Sequence, residues 1–266
     1  MTTLKNPHIH LTSIILVLIS SMLIAGTATA TPADNHTTSP IINGTPTSDR
    51  QSPVVAVRQR ALTYYYLCTG SLIAPNVVLT ARHCVTSAAQ KMSVYIAGLP
   101  FAVTKVTAHP QAHQDKYGLL HNDVALLFLK KPSSKPTLPL LVSRSTQAGD
   151  TILIMGYGED ENAQIGVLRK GTSIVSQVSS EYVLTYFSSL NEANSCNGDS
   201  GGPAIFSYLD KNNAKHSGIV GTVSFGTVSF GTTERCQIGD YSFYTNTQSR
   251  SVLNFITSRV RRVKLQ

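Results

Sequence analysis

From residue 41 to residue 248 the sequence is a series of short apolar segments separated by turn residues. The segments are rich in Val, Ile, Thr and Tyr, and Gly, Pro, Asn or Ser lie at their ends. Apolar segments of this length, composition and spacing are typical of the strands of an all-β barrel or sandwich. The clearest examples are 53–57, 76–80, 93–97, 123–129, 151–155, 182–186 and 218–220.

Two other segments set the organisation of the chain. In residues 249–262 the apolar side chains recur at helical spacing, so we predict one helix within a C-terminal segment 249–266. The segment 130–136 reads KKPSSKP and interrupts the strands, which favours a linker between two β units. The sequence therefore predicts two β units, an N-terminal one over 41–132 and a C-terminal one over 133–248, each a barrel or a sandwich.

The N-terminus indicates export. A lysine precedes an apolar run, 11–26, and small residues follow it as far as Ala30. This pattern is typical of a secretory signal, and the run is shorter than the ~20 apolar residues that a membrane-spanning helix needs. We predict a signal peptide over 1–30, a short propeptide over 31–40, and a mature protein that is secreted (extracellular or periplasmic) without membrane attachment.

Composition excludes several classes of protein. With 42% hydrophobic and 14% charged residues in a chain of 266, intrinsic disorder is excluded for the bulk of the sequence. The net charge is +8, but the basic residues are dispersed, so we expect no nucleic-acid partner. None of the four cysteines forms a C-x-x-C pair, which favours disulfides over a zinc site in an exported protein. We expect neither a metal ion nor a cofactor.

Three short strings of residues carry chemistry. In CNGDSGGP, at 196–203, glycines around a serine permit a tight turn that directs its hydroxyl and backbone N–H groups to one point. LTARHC, at 79–84, places a histidine at a strand end, and HNDVALL, at 121–127, places an aspartate before a strand. Alone, the histidine string is typical of a structural histidine and the aspartate string of a turn. Together the three supply a nucleophile, a base for its proton, and an acceptor that holds the tautomer of the base.

In these strings the sequence resembles the trypsin/chymotrypsin-like serine proteases, over about residues 41–262. The resemblance implies that Ser200 is the nucleophile, that His83 is its general base, and that Asp123 orients His83. It implies an oxyanion hole formed by the N–H groups of Gly198 and Ser200. The implied fold is two perpendicular six-stranded antiparallel β-barrels with a C-terminal α-helix. The implied activity is hydrolysis of protein or peptide substrates through an acyl-enzyme.

The resemblance also assigns the cysteines and the partners. It implies a Cys68–Cys84 bridge that holds the histidine loop and a Cys196–Cys236 bridge beside the specificity pocket. A further bridge that many relatives carry in the second barrel is missing, which is similar to short bacterial-type members with two disulfides. Implied partners include protein inhibitors, and a monomer is expected.

Activation by cleavage is a further implication. Members of this family are often made as precursors, in which cleavage frees an isoleucine whose ammonium pairs with the aspartate before the catalytic serine. Ile41 and Asp199 stand at those positions. Because Pro40 precedes Ile41 where most such precursors have Arg or Lys, we expect an unidentified activating protease of different specificity, or stepwise trimming of 31–40.

The expected specificity pocket departs from the family pattern. Asn194, followed by Ser195, stands at the pocket base where trypsin has an aspartate, so a simple preference for Arg and Lys is not expected. Ser242 falls where relatives have glycine, which predicts a narrower pocket. Asp240 could restore a negative charge, but we predict that it is a solvated loop residue.

The substrate-binding strand contains a duplication, with TVSFG at 222–226 repeated at 227–231. Because strand side chains alternate with period two, the two copies cannot both continue one strand in the same register. The family has Ser-Trp-Gly in this strand. We therefore predict that Ser224, Phe225 and Gly226 of the first copy line the pocket.

Two other functions remain open at this stage. A catalytically impaired homologue acting as a binding module would usually show a substituted triad; here the departure is Arg82, where most relatives have alanine. A serine esterase of the α/β-hydrolase fold would order its triad Ser, acid, His. Only His216 follows Ser200, and alternation of strands and helices is missing from the pattern.

Overall fold

The structure is a computed structural model that describes residues 41–60, 65–85, 88–227 and 235–266. Within these ranges the chain forms fifteen β-strands, a short 3₁₀ helix (Ala89–Lys91) and one α-helix. The strands are β1 (Thr45–Pro46), β2 (Val54–Arg60), β3 (Tyr65–Ala74), β4 (Val77–Thr80), β5 (Met92–Ile96), β6 (Leu99–Ala108), β7 (His113–Gln114), β8 (Leu120–His121), β9 (Ala125–Leu129), β10 (Thr151–Gly156), β11 (Arg169–Val178), β12 (Tyr182–Tyr186), β13 (Pro203–Leu209), β14 (Lys215–Gly226) and β15 (Tyr241–Asn246). The predicted signal peptide and propeptide, 1–40, lie outside the described residues.

Six antiparallel strands close the first barrel, in the order β2-β3-β4-β9-β6-β5. Strand β5 shows the alternation that the sequence pattern predicts, because Met92, Val94 and Ile96 are buried while Ser93 and Tyr95 are half-buried. The apolar faces of the six strands meet inside the barrel. Its core includes Val55, Val57, Leu72, Val78, Val94 and Leu127.

The second barrel has the strand order β11-β10-β13-β14-β15-β12, and β12 pairs back with β11 to close it. The two-residue strand β1 pairs with β11, so the first described residues of the chain join this second barrel. Its core includes Ile152, Ile154, Val175, Val183, Val220 and Tyr244. Two six-stranded antiparallel barrels confirm the prediction of an all-β fold and the architecture that the resemblance implies.

The α-helix, α1 (Arg250–Thr257), begins at a capped residue. The side chain of Ser249 accepts a hydrogen bond from the backbone N–H of Val252 at 3.3 Å, which satisfies one of the unpaired donors of the first turn. The buried face of the helix packs against residues of both barrels. This cluster includes Val252, Phe255 and Ile256 with Val77, Leu126 and Ile219. In the described part of the chain, no helix is long and apolar enough to span a membrane.

The helix is shorter than the range of helical apolar spacing, 249–262, since its last residue is Thr257. Ser258 is its C-cap, and the Arg259 guanidinium donates to the carbonyl of Phe255 at 3.1 Å, which satisfies a terminal acceptor. The chain then turns, and Val260 packs into the same cluster as the helix. The apolar spacing of the sequence therefore continues past the end of the helix, since the following turn is also anchored to the core.

The connection between β9 and β10 is held by backbone hydrogen bonds to the first barrel. Ser133 N–H donates to the carbonyl of Pro75 at 2.7 Å, and Leu138 N–H donates to the carbonyl of Leu72 at 2.8 Å. The predicted linker and domain boundary lie in this connection. Because these bonds fix it, the connection is part of the packed structure.

Candidate active site

The three triad candidates lie at strand ends. His83 follows β4 and Asp123 precedes β9, both in the first barrel, whereas Ser200 precedes β13 in the second. His83 and Ser200 line a cavity of about 310 Å³, to which both barrels contribute residues. Its lining includes His83 and Ser200 with the predicted pocket residues Asn194, Ser195, Ser224, Phe225, Gly226 and Ser242.

Asp123 is 2% exposed, and its carboxylate receives three contacts from hydrogen-bonding groups. Oδ2 lies 2.7 Å from His83 Nδ1, Oδ1 accepts from the backbone N–H of His83 at 2.9 Å, and Oδ2 accepts from Ser224 Oγ at 2.6 Å. Because a carboxylate only accepts, the ring proton of neutral His83 lies on Nδ1, and Nε2 is left as an acceptor. Nothing in the sequence near Ser224 indicates its bond to Asp123, because the two residues are 101 positions apart.

Ser200 lies in the same cavity as His83, beside two backbone donors. In the contacts of the described residues, its hydroxyl makes no hydrogen bond with His83; such bonds are often long in ligand-free sites. The N–H groups of Gly198 and Ser200 also donate to no other described group. Gly198 has a φ of 93°, and a Cβ there would lie 2.8 Å from Gly158 Cα, so only glycine fits. The turn therefore leaves two free donors next to the candidate nucleophile.

Asp199 is completely buried and holds this turn through hydrogen bonds of its carboxylate. Its Oδ1 accepts from Gly158 N–H at 2.8 Å and its Oδ2 accepts from Cys196 N–H at 2.9 Å. Burial raises the pKa of Asp199 to about 7, against the opposing effect of these two hydrogen bonds. Ile41, the other residue implicated in activation, is also completely buried and lies in the core of the second barrel.

The four cysteines form two disulfides, Cys68–Cys84 and Cys196–Cys236. The first ties the residue next to His83 to β3. The second ties the turn before Ser200 to the segment 235–240, which also lines the cavity. The sulfur atoms of Cys68 and Cys84 lie close to the ring of His83, but because both are bridged they are not thiolate ligands for a metal ion.

The floor of the predicted pocket is a neutral hydrogen-bonded chain. Ser195 Oγ donates to Ser242 Oγ at 2.8 Å, and Ser242 Oγ donates to Asn194 Oδ1 at 2.8 Å. The three residues are 8%, 1% and 2% exposed, respectively. The hydroxyl of Ser242 thus occupies space that a glycine would leave open.

The prediction that Asp240 is a solvated loop residue is wrong. Asp240 is 1% exposed and lines the cavity. Its Oδ2 accepts from the backbone N–H of Gln237 at 2.9 Å, and its own N–H donates to the carbonyl of Gln237 at 3.0 Å. The carboxylate and the N–H of Asp240 thus both bond to the backbone of Gln237, and a hydrogen-bonded polar group is less costly to bury.

The first copy of the repeated TVSFG sequence completes β14, which places Ser224, Phe225 and Gly226 on the cavity wall. Phe225 stacks on Phe243 with ring centroids 4.4 Å apart. Of the second copy, only Thr227 falls within the described residues.

Arg82 is exposed and forms no ion pair with Asp123 among the described residues. It lines a shallow groove beside the triad, together with His113 and His121.

Comparisons with known proteins point to one family. The family model for trypsin matches residues 41–256. The chain is 36% identical over 187 residues to serine protease SP24D of Anopheles gambiae, covering 62% of this chain and 67% of that protein. It is 27% identical to phenoloxidase-activating factor 3 of Holotrichia diomphalia, covering 70% of this chain and 65% of that protein. It is 26% identical to kallikrein-4 of Homo sapiens, covering 92% of this chain and 94% of that protein. The chain thus spans about two thirds of the length of the first two relatives.

His121, in β8, contacts carboxylates from both barrels beside the triad. Its Nε2 lies 3.2 Å from Asp115 Oδ2, and its Nδ1 lies 2.9 Å from Glu181 Oε2, just before β12. Hydrogen bonding to Asp115 above all, and also to Glu181, raises the pKa of His121 above its usual 6.5. His113 stacks on the ring at 4.7 Å. The ring of His121 therefore connects the two barrels two residues away from Asp123.

We predict that His121→Asn removes a pH-dependent part of the stability. Because the folded pKa is raised, the contribution of the protonated ring is complete below the unfolded value of 6.5 and is lost as the pH rises through the folded pKa. The difference in free energy of unfolding between wild type and His121→Asn should therefore shrink as the pH rises above 6.5 and through the raised folded pKa. Urea unfolding of the wild type and of His121→Asn across this pH range measures it. A difference in free energy of unfolding that stays constant or grows with pH would contradict the stabilising role of protonated His121.

Proposed function

The chain belongs to the trypsin family of serine endopeptidases, and we propose that it hydrolyses peptide bonds with Ser200, His83 and Asp123 as its catalytic triad. The observation that carries this proposal is the 2.7 Å contact between His83 Nδ1 and buried Asp123. That contact leaves Nε2 as a base in the cavity that also holds Ser200. Besides a base, acyl transfer needs a site that stabilises the developing negative charge, and the two free N–H groups beside Ser200 supply it.

In the proposed reaction, Ser200 Oγ attacks the carbonyl carbon of the substrate while His83 Nε2 accepts its proton. The carbonyl oxygen becomes an oxyanion and is bound by the N–H groups of Gly198 and Ser200. His83 then protonates the leaving amine, the C–N bond breaks, and an acyl-enzyme on Ser200 remains. Water, deprotonated by His83, hydrolyses this ester by the same steps. Asp123 holds the ring and stabilises its protonated form throughout.

Secretion is proposed for the mature protein. Two disulfides favour an oxidising compartment, and the predicted signal peptide supplies the route. In that compartment the substrates are proteins or peptides, and an unidentified activating protease and protein inhibitors are the partners we expect of a monomeric enzyme.

Activation is proposed to proceed by release of Ile41, whose ammonium would pair with Asp199. This proposal is supported by the burial of both residues and by the contacts of Asp199, whose carboxyl group has two backbone hydrogen bonds but no cationic partner among the described residues. Burial raises its pKa to about 7. A positive charge would stabilise the ionised carboxylate, and with it the turn that carries Gly198.

The pocket is proposed to select neutral side chains at the residue before the cleaved bond. Its floor of Asn194, Ser195 and Ser242 is uncharged and hydrogen-bonded. Among the described lining residues the cation Arg235 and the anion Asp240 offset each other, and Asp240 already accepts a backbone hydrogen bond. A buried ammonium or guanidinium would find no dedicated counter-charge at this floor.

A fluorophosphonate probe tests the nucleophile. We expect it to label the mature protein once. Ser200→Ala should abolish labelling and lower the rate of peptide hydrolysis by roughly 10⁴-fold or more. The matched control is Ser207→Ala, an exposed serine on β13, which should behave as wild type. Labelling that survives Ser200→Ala would contradict the proposal, and a mature protein that is never labelled would favour the binding module.

A peptide library tests the pocket. The wild type should cleave after neutral residues in preference to Arg and Lys. Asn194→Asp should raise kcat/KM for Arg and Lys by at least about tenfold, since a carboxylate at the floor forms charge-assisted hydrogen bonds with either cation. Asp240→Asn should leave the ranking unchanged. Cleavage by the wild type after Arg or Lys, lost in Asp240→Asn, would overturn this reading.

N-terminal sequencing of the active secreted form tests the activation proposal, and it should read Ile-Ile-Asn-Gly. Pro40→Arg should make the precursor activatable by trypsin, which the wild-type precursor should resist. An active enzyme that begins at Thr31 would contradict the role of Ile41.

A further inference from the structure

Thr69, in β3 of the first barrel, places a completely buried hydroxyl against the second barrel. Its Oγ1 accepts from the backbone N–H of Tyr157 at 3.0 Å and donates to the carbonyl of Gly198 at 2.9 Å. A hydroxyl has one proton and can accept further bonds, so both contacts are used in compatible directions. The side chain thus links the end of β10 to the turn that carries the proposed oxyanion hole.

The backbone of Thr69 makes two more contacts at the same place. Its N–H donates to the carbonyl of Ser200 at 2.8 Å. Its carbonyl accepts from Thr80 Oγ1 at 2.7 Å, and Thr80 is the last residue of β4, three positions before His83. One residue therefore holds the carbonyls of Gly198 and Ser200, the two amino acids whose N–H groups donate to no described group.

The turn packs against this threonine pair without spare space. Gly201 has a φ of 85°, and a Cβ there would collide with Thr80 Oγ1 and the Thr69 carbonyl. A Cβ at Gly202 would lie 3.2 Å from Thr69 Cγ2. The backbone of the turn therefore takes its position directly from the first barrel.

Gly198 is the residue whose orientation most needs such fixing. It has no side chain, its φ is 93°, and its N–H is one of the two free donors. The carbonyl before it, of Asn197, accepts from Glu159 N–H at 2.7 Å, and the carbonyl after it is the one that Thr69 Oγ1 holds. The peptide before Gly198 is thus fixed by one hydrogen bond. The peptide after it is fixed by two, since the Asp199 N–H also donates to the carbonyl of Cys196 at 3.0 Å.

We propose that Thr69 is a positioning residue for the oxyanion hole, and this inference rests on the proposed peptidase function. Its hydroxyl holds the carbonyl of Gly198, which is separated from the Gly198 N–H by one Cα, and so restricts the backbone rotation of this glycine on which the direction of its N–H depends. Its backbone locates the turn relative to the barrel that carries His83 and Asp123. Donors stabilise an oxyanion only when they are aimed within a few tenths of an ångström, so this fixing should act on the transition state more than on bound substrate.

The test compares Thr69→Ala, which removes the hydroxyl, with Thr69→Ser, which keeps it. Removal of a whole oxyanion donor costs roughly 10²–10³ in kcat, and we expect a misdirected donor to cost about tenfold. KM should stay within about twofold of wild type, because ground-state binding does not use the hole. Thr69→Ser should recover most of kcat. The matched control is Thr107→Ala, since Thr107 on β6 has a buried hydroxyl without a partner among the described residues.

A second readout isolates the hole from general stability. In a peptide trifluoromethyl ketone, Ser200 Oγ would bond to the carbonyl carbon, His83 would take the proton, and the ketone oxygen would become an oxyanion in the hole. We expect its affinity to fall in Thr69→Ala by the same factor as kcat/KM, with recovery in Thr69→Ser. Thr69→Val, which keeps the side-chain volume but has no donor, should show the same losses if Thr69→Ala does not fold.

Wild-type kcat and ketone affinity in Thr69→Ala would overturn the positioning role. Equal loss in Thr69→Ser and Thr69→Ala, together with a raised KM, would also overturn it, because that result indicates general disruption. If the wild-type protein hydrolyses nothing and is indistinguishable from Ser200→Ala, the proposed peptidase function fails instead.

Discussion

The carboxylate of Asp123 is the point at which the two barrels are joined beneath the cavity. It belongs to the first barrel and is 2% exposed, yet it accepts a bond from Ser224 of the second barrel as well as contacting His83. A buried carboxylate is costly unless its lone pairs are occupied, so these contacts are required for its burial and for the orientation of the ring. A shift of one barrel against the other would break at least one of them.

The turn before Ser200 is likewise held from both barrels, here through its backbone groups. Asp199 fixes it from within the second barrel through two N–H groups, and Thr69 fixes it from the first barrel through two carbonyls. The pKa of Asp199, raised to about 7, shows that this arrangement leaves a carboxyl group short of compensation. The proposed pairing with Ile41 would supply it, which links completion of the oxyanion hole to cleavage of the precursor.

Much of the fold and of the site could be predicted from the sequence. Short segments between turn residues predicted the strands, because alternation in a strand such as β5 is a local property. The strings around His83, Asp123 and Ser200 indicated the family, and the disulfides Cys68–Cys84 and Cys196–Cys236 match the pairing that the resemblance implies. The predicted C-terminal helix is confirmed, but its end at Thr257 could not be read from the sequence, since apolar spacing cannot distinguish a last helical turn from a packed turn after it.

Other features could not be predicted because they depend on contacts between distant segments. The burial of Asp240 depends on a turn that satisfies its carboxylate, and no pattern around it indicates whether that turn faces solvent or the cavity. Thr69 reads as one residue of an apolar strand, and its partners lie 88 and 129 positions away.

The sequence by itself determined the class of fold, the family and the chemical groups of the site, because strand periodicity and the catalytic strings are local. Only the tertiary structure decided which donors face which acceptors. It gave Asp123 a partner in Ser224 and closed the pocket floor through Ser242. It also set Thr69 against Gly198. The physical reason is that a buried polar group must find a partner, and which partner it finds is settled only when the barrels pack.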